Sequence, residues 1–185
     1  MIPTLNSAPM RFLRSLLFVI SLVVFSCQEG ATERKESLDQ LAIAAQNKEL
    51  LRQVYTEVFV DWNRERVEEV LAPNFRSHDW PADSRTGVDG FYDFYDPVLA
   101  SFPDTRYVVH ELIAEGDKVT VYWTLKGTHK GAFLGLPPTN REIAMDGIAI
   151  YRVENDLLKE RWVVYDFYAM VEQVRAGVQA MRSAD

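Results

Sequence analysis

From residue 107 onwards the chain alternates apolar and polar residues with period two, and this pattern most limits what it can fold into. In Lys118–Thr128, Val119, Val121, Trp123 and Leu125 share one face, while Thr120, Tyr122 and Thr124 share the other. Successive side chains of a strand point to opposite sides, so the stretch predicts a half-buried strand. Tyr107–Ala114 precedes it across the turn Glu115-Gly116-Asp117. Glu142–Val153 and Leu157–Asp166 follow, joined by Glu154-Asn155-Asp156. A loop from Gly131 to Asn140 carries Gly135 and Pro137-Pro138. Short turns of this kind join antiparallel neighbours.

Upstream the period is helical. Leu50, Leu51, Val54, Val58 and Phe59 recur at helix spacing behind Asn47, which reads as an N-cap. Asp61-Trp62-Asn63 breaks this helix, and a second is predicted from Arg64 to Leu71, ended by Pro73. Phe75–His78 reads as a short extended piece and Pro81–Thr86 as a loop. A third helix is predicted over Val88–Ala100, stopped by Phe102-Pro103, and a short C-terminal helix over Phe167–Val174. Helices followed by four antiparallel strands predict an α+β fold, with the helices on one face of a curved sheet. The domain is expected over residues 47–176, with 177–185 as a tail. Ten Phe, eight Tyr and four Trp fit an aromatic-lined cavity and a dense aromatic core equally well.

The first 26 residues read as a targeting segment. Arg11 and Arg14 precede an apolar run, Leu16–Phe25, too short to span a bilayer and suited to a signal peptide. Val24-Phe25-Ser26-Cys27 resembles a bacterial lipobox, which would make Cys27 a lipidated N-terminus. The competing reading is a plain signal anchor with an incidental cysteine. Met10 offers a second start. Residues 28–46 would tether the domain, and the expected location is the bacterial cell envelope, with membrane contact only through the lipid anchor. Cys27 is the only cysteine, so no disulfide framework exists. The chain carries −7 overall; residues 1–26 hold two arginines and no acid, which leaves the remainder at −9. So acidic a chain without a basic run argues against nucleic acid as a partner.

In the last predicted strand, Glu160, Trp162, Val164 and Asp166 face one way, and Lys159, Arg161, Val163 and Tyr165 the other. Trp162 and Val164 mark the first face as the buried one. Asp166 would then end a strand on the apolar side, where desolvation raises a carboxylate's pKa toward neutrality. The alternative is that Asp166 caps the helix beginning at Phe167. His78 and His129 each read equally well as a satisfied, partly buried hydrogen-bonding group or as a catalytic one; His110 reads as a surface residue. No His/Asp/Cys cluster has metal-ligand spacing. No glycine-rich loop leads into a helix, and no nucleophile elbow is present. Cofactor-free acid–base chemistry, or binding alone, remains.

The string Gly127-Thr128-His129-Lys130-Gly131-Ala132-Phe133-Leu134-Gly135-Leu136-Pro137-Pro138-Thr139 resembles the G-T-H-x-G-x-F-x-G-x-P-P-T-G loop of the SnoaL-like polyketide cyclases, also called predicted ester cyclases. The helix opening at Asn47, the Phe102-Pro103-Asp104 turn and Glu160-Arg161-Trp162 leading to Asp166 match in the same order, over about residues 47–175. The resemblance implies a cone-shaped nuclear-transport-factor-2-like fold with a deep pocket. It implies aldol-type ring closure without cofactor or metal, with an aspartate, here Asp166, as general acid/base. His129 and His78 join it as catalytic candidates, and Trp80, Tyr122, Phe133, Trp162 and Val164 as pocket lining. A homodimer and an apolar small-molecule ligand are expected. Asn140 replaces the usual glycine after Pro-Pro-Thr, and it tolerates positive φ. Gly147 and Ala149 stand where polar pocket residues are expected, and Asp146 points to the other face. The expected function is general acid/base chemistry on a small apolar carbonyl compound in an enclosed pocket. The alternatives are a non-catalytic envelope lipoprotein that binds a hydrophobic molecule, and an oligomerising module.

Overall fold

The computed structural model describes residues 33–59 and 62–183. The signal segment, Cys27 and the first part of the tether lie outside the described residues. The chain divides into two compact units, Met1–Ala42 and Ile43–Asp185. In the first, residues 33–42 are helical and exposed. Among the described residues no helix is long and apolar enough to cross a membrane. The second unit carries everything below.

Residues 43–59 form helix α1, which widens to a π-helical turn over Val54–Val58. Leu51, Val54, Val58 and Phe59 are buried, as their spacing predicts; Leu50 is only partly buried, and Tyr55 joins the buried face. Asn47 is not a cap. It lies inside the helix, where its Nδ2 donates to the Gly116 carbonyl at 2.9 Å and pins α1 to a strand turn. Helix α2 (Arg64–Val70) is capped by Asn63, whose side chain accepts from the Arg66 amide. The chain then passes straight into strand β1 (Leu71–Ser77). Pro73 therefore sits in a strand, not at a helix end. β1 is a sheet edge, and an edge tolerates a residue without an N–H.

Helix α3 (Gly87–Ser101) precedes β2 (Arg106–Glu115), β3 (Lys118–Thr128), β4 (Glu142–Glu154) and β5 (Leu157–Tyr165). The sheet order is β1-β5-β4-β3-β2. Four strands are antiparallel as expected; β1 adds a fifth, parallel to β5. The sheet is curved and unclosed, and the helices pack against it around a shared apolar core. Helix α4 (Phe167–Arg182) runs well past Val174. Its second half is held by tertiary contact: an ideal Cβ on Gly177 would lie 2.9 Å from Thr139 Cγ2, so α4 packs directly on the long loop. That loop ends at Asn140, whose φ of 54° takes the left-handed conformation a glycine would otherwise supply.

β5 overturns one expectation about faces. Leu158 pairs with Val153 and points inward, but the next pair inward is Arg161 with Tyr151. Between them the register slips, because Arg152 pairs with Glu160 and Lys159 is left without an opposite residue. One extra residue in a strand turns every following side chain over. Arg161 is therefore buried at 4% exposure, while Trp162 is 37% and Val164 79% exposed.

Candidate functional site

Between the sheet and the helices lies a pocket of about 70 Å³, room for roughly five waters. Its walls are apolar: Phe94 and Val98 from α3, Trp123 and Leu125 from β3, Met145 and Ala149 from β4, and Met170 from α4. Phe133 of the long loop and Phe167 at the start of α4 contribute rings 6.2 Å apart. Phe167 is 44% exposed, so this side of the pocket meets solvent.

One end is polar. Arg161 Nε donates to Ser77 Oγ at 2.7 Å and Nη1 to the Tyr95 hydroxyl at 2.6 Å. Its Nη2 reaches Asp79 Oδ1 only at 3.4 Å, and Ser77 Oγ also donates to that oxygen. The Tyr95 and Tyr107 hydroxyls lie 3.4 Å apart, and those of Tyr55 and Tyr151 3.0 Å apart. Burial raises the pKa of Tyr55 and Tyr107 well above the ordinary phenol value and that of Tyr151 above it. These phenols stay protonated at neutral pH, and those of Tyr55 and Tyr107, which line the pocket, can donate hydrogen bonds to a ligand oxygen. Trp80 is buried behind this cluster, its ring centroid 5.8 Å from the Arg161 guanidinium, and does not line the pocket.

Of the sequence-derived pocket residues, Phe133 lies on the wall. Tyr122, Trp162 and Val164 lie on the outer face of the sheet, the last two because of the slip at Lys159. Asp166 is exposed and accepts from the Ala169 amide at 2.9 Å, the capping geometry. His78 is also outside, stacked on Trp162 with ring centroids 4.4 Å apart and bonded to Glu160 at 2.9 Å. Glu160 is held ionised by Arg152 and His78, which lower its pKa. His110 is exposed and meets Thr124 Oγ1 at 2.7 Å. The structure thus gathers none of the three acid–base candidates into the pocket. It gathers Arg161 and the tyrosines there, and no sequence signal short of the bulge could have found Arg161.

His129 is fully buried beneath the loop rather than in the pocket. Its Nδ1 lies 3.2 Å from Thr139 Oγ1, and Nε2 has no hydrogen-bond partner among the described residues. Burial lowers its pKa, partly offset by a bond with the Gly131 backbone. A histidine held neutral in the fold takes up its proton more readily when unfolded, so its stabilising share is lost as pH falls below its unfolded pKa, about 6.5. Thermal stability should therefore fall between about pH 6.5 and 5, and His129→Gln should flatten that part of the profile. A parallel decline in both proteins would place the acid sensitivity elsewhere.

Gly147 explains the missing polar side chain on β4. An ideal Cβ there would lie 2.4 Å from Trp123 Cζ2 and Cη2, so the indole occupies the space a side chain would need. Among the described residues no group of His, Cys, Asp and Glu side chains could hold a metal ion.

The sequence profile of the SnoaL-like polyketide cyclases matches residues 49–174. No curated protein matches the chain. Among solved structures, a provisionally assigned polyketide cyclase from Acidithiobacillus ferrooxidans is 29% identical, with a TM-score of 0.64 over 73% of this chain and 98% of its own. A SnoaL-like protein from Jannaschia sp. CCS1 is 26% identical, with a TM-score of 0.64 over 71% and 93%. IdmH from Streptomyces antibioticus, also provisionally a polyketide cyclase, is 27% identical, with a TM-score of 0.62 over 70% and 98%. With the cone of curved sheet and helices around an apolar pocket, these matches mean that the chain belongs to the SnoaL-like polyketide cyclase family.

Proposed function

We propose that this protein takes a small, one-ring apolar carbonyl compound into the pocket and polarises its oxygen at the polar end. The observation that carries the reading is the concentration of donors, Arg161 and the buried tyrosines, at one end of an otherwise apolar cavity. Such donors, in largely apolar surroundings, stabilise the charge that develops on an enolate oxygen. Family membership supports chemistry of the cyclase type, which passes through such an enolate. The small volume favours a compact substrate over a multi-ring one. Among the described residues the pocket lining holds no carboxylate or imidazole, so the reading gives this chain the electrophilic half of the reaction, with the alpha proton passing to water or hydroxide that enters at the solvent-facing Phe167 side. Binding without turnover is the second reading, favoured by that same absence.

The test uses cyclopentanone and cyclopentane as probes in NMR titrations. The ketone should shift resonances of Tyr95, Trp123 and Met145 and bind more tightly than the hydrocarbon. Equal or absent binding sinks the proposal. Deuterium exchange alpha to the ketone, faster with protein than without, separates catalysis from binding. Asp166→Ala should leave the titration unchanged while lowering stability by about 1 kcal/mol through loss of the helix cap. Loss of ketone binding in that variant would restore Asp166 to the site.

A further inference from the structure

The guanidinium of Arg161 is poorly neutralised for its depth. A buried cation is stable where a carboxylate pairs with it closely, at about 2.7–2.9 Å. Here both short bonds go to neutral hydroxyls, Ser77 and Tyr95. The one carboxylate in reach, Asp79, stands at 3.4 Å and already accepts from Ser77. Glu160, next in sequence, points to the opposite face and is taken by Arg152 and His78. Arg161 lines the pocket at its tyrosine end, and beyond those neutral hydroxyls the lining is apolar, with no carboxylate in it. Low dielectric surroundings strengthen the pull of this charge on an anion that enters.

We infer that the pocket is a site for a small organic monocarboxylate, whose carboxylate docks on Arg161 while its ring or branched chain packs on the aromatic wall. The inference rests on reading the pocket as a ligand site and deepens it, since a keto acid would carry both the carbonyl and the anion. Asp79 acts as a counter-charge that the ligand carboxylate partly displaces.

Cyclopentanecarboxylate and cyclopentanecarboxamide are near-isosteric probes that differ in charge. At pH 7 the carboxylate should bind about tenfold more tightly than the amide. Asp79→Asn removes the competing carboxylate, so it should raise carboxylate affinity about threefold and leave the amide unchanged. Arg161→Gln should erase the preference. If that variant does not fold, by circular dichroism, Asp79→Asn decides alone. A merely structural Asp79–Arg161 pair would weaken both probes together in Asp79→Asn, which would overturn the inference. So would equal binding of acid and amide to the native protein. Cyclopentanone binding without any preference for the acid would leave the carbonyl reading standing and remove this one. Binding of none of the three probes would remove both.

Discussion

Replacing Arg161 by methionine should lower the unfolding free energy by about 3 kcal/mol, a large part of the 5–15 kcal/mol typical of a domain. Methionine fills much of the volume, so the loss comes from polarity. Three hydrogen bonds disappear, to Ser77, Tyr95 and Asp79. Among the described residues the Tyr95 hydroxyl keeps only its long contact with Tyr107, and Asp79 keeps only Ser77. A polar group left unpartnered in the interior costs about 1–3 kcal/mol. Asp79 is 15% exposed, so water reaches part of its orphaned charge and limits its share. The double variant Arg161→Met/Asp79→Asn should therefore recover about 1 kcal/mol. Urea unfolding of the four proteins of this cycle measures the coupling. Additive losses would mean that Asp79 and Arg161 do not act as a pair.

Gly147→Ala should cost about 1–3 kcal/mol, although alanine suits a strand better than glycine. The added methyl would lie 2.4 Å from two carbons of the Trp123 ring and 3.0 Å from a third. The indole can yield only toward the pocket. It is 3% exposed and meets Tyr107 edge-on, with centroids 5.1 Å apart. Because Trp123 and Tyr107 both line the pocket, the displacement should also reduce ligand uptake. Trp123→Phe in the same chain should relieve the overlap and restore part of the stability. Near-UV circular dichroism and thermal denaturation measure both effects. A stable Gly147→Ala with unaltered ligand uptake would show that the wall yields more easily than this packing indicates.

Much of the architecture was legible because it is local. The four strands from Tyr107 to Asp166 follow from strict alternation and short turns, and β3 matches its predicted limits, Lys118–Thr128. β1 was harder to see. Its partner β5 lies far along the chain, and only that pairing makes a proline-bearing segment a strand. The C-terminal helix extends beyond Val174 because Gly177 meets Thr139, again a contact between distant residues.

The site divides along the same line. Composition and pattern by themselves determined an aromatic, acidic α+β domain and put Trp123 and Tyr122 on opposite faces of β3, but did not say which of the two looks inward. Family motifs added the loop and its positive-φ Asn140. Which face of β5 looks inward was decided only by the tertiary structure. Hydropathy assigns Trp162 and Val164 to the core, and within a single strand nothing contradicts it. The bulge at Lys159 depends on pairing with Arg152 and Val153 across the turn. That one-residue slip carries Asp166 outward to cap a helix and turns Arg161 inward to the pocket, because side chains alternate with a period of two and any odd insertion exchanges the faces.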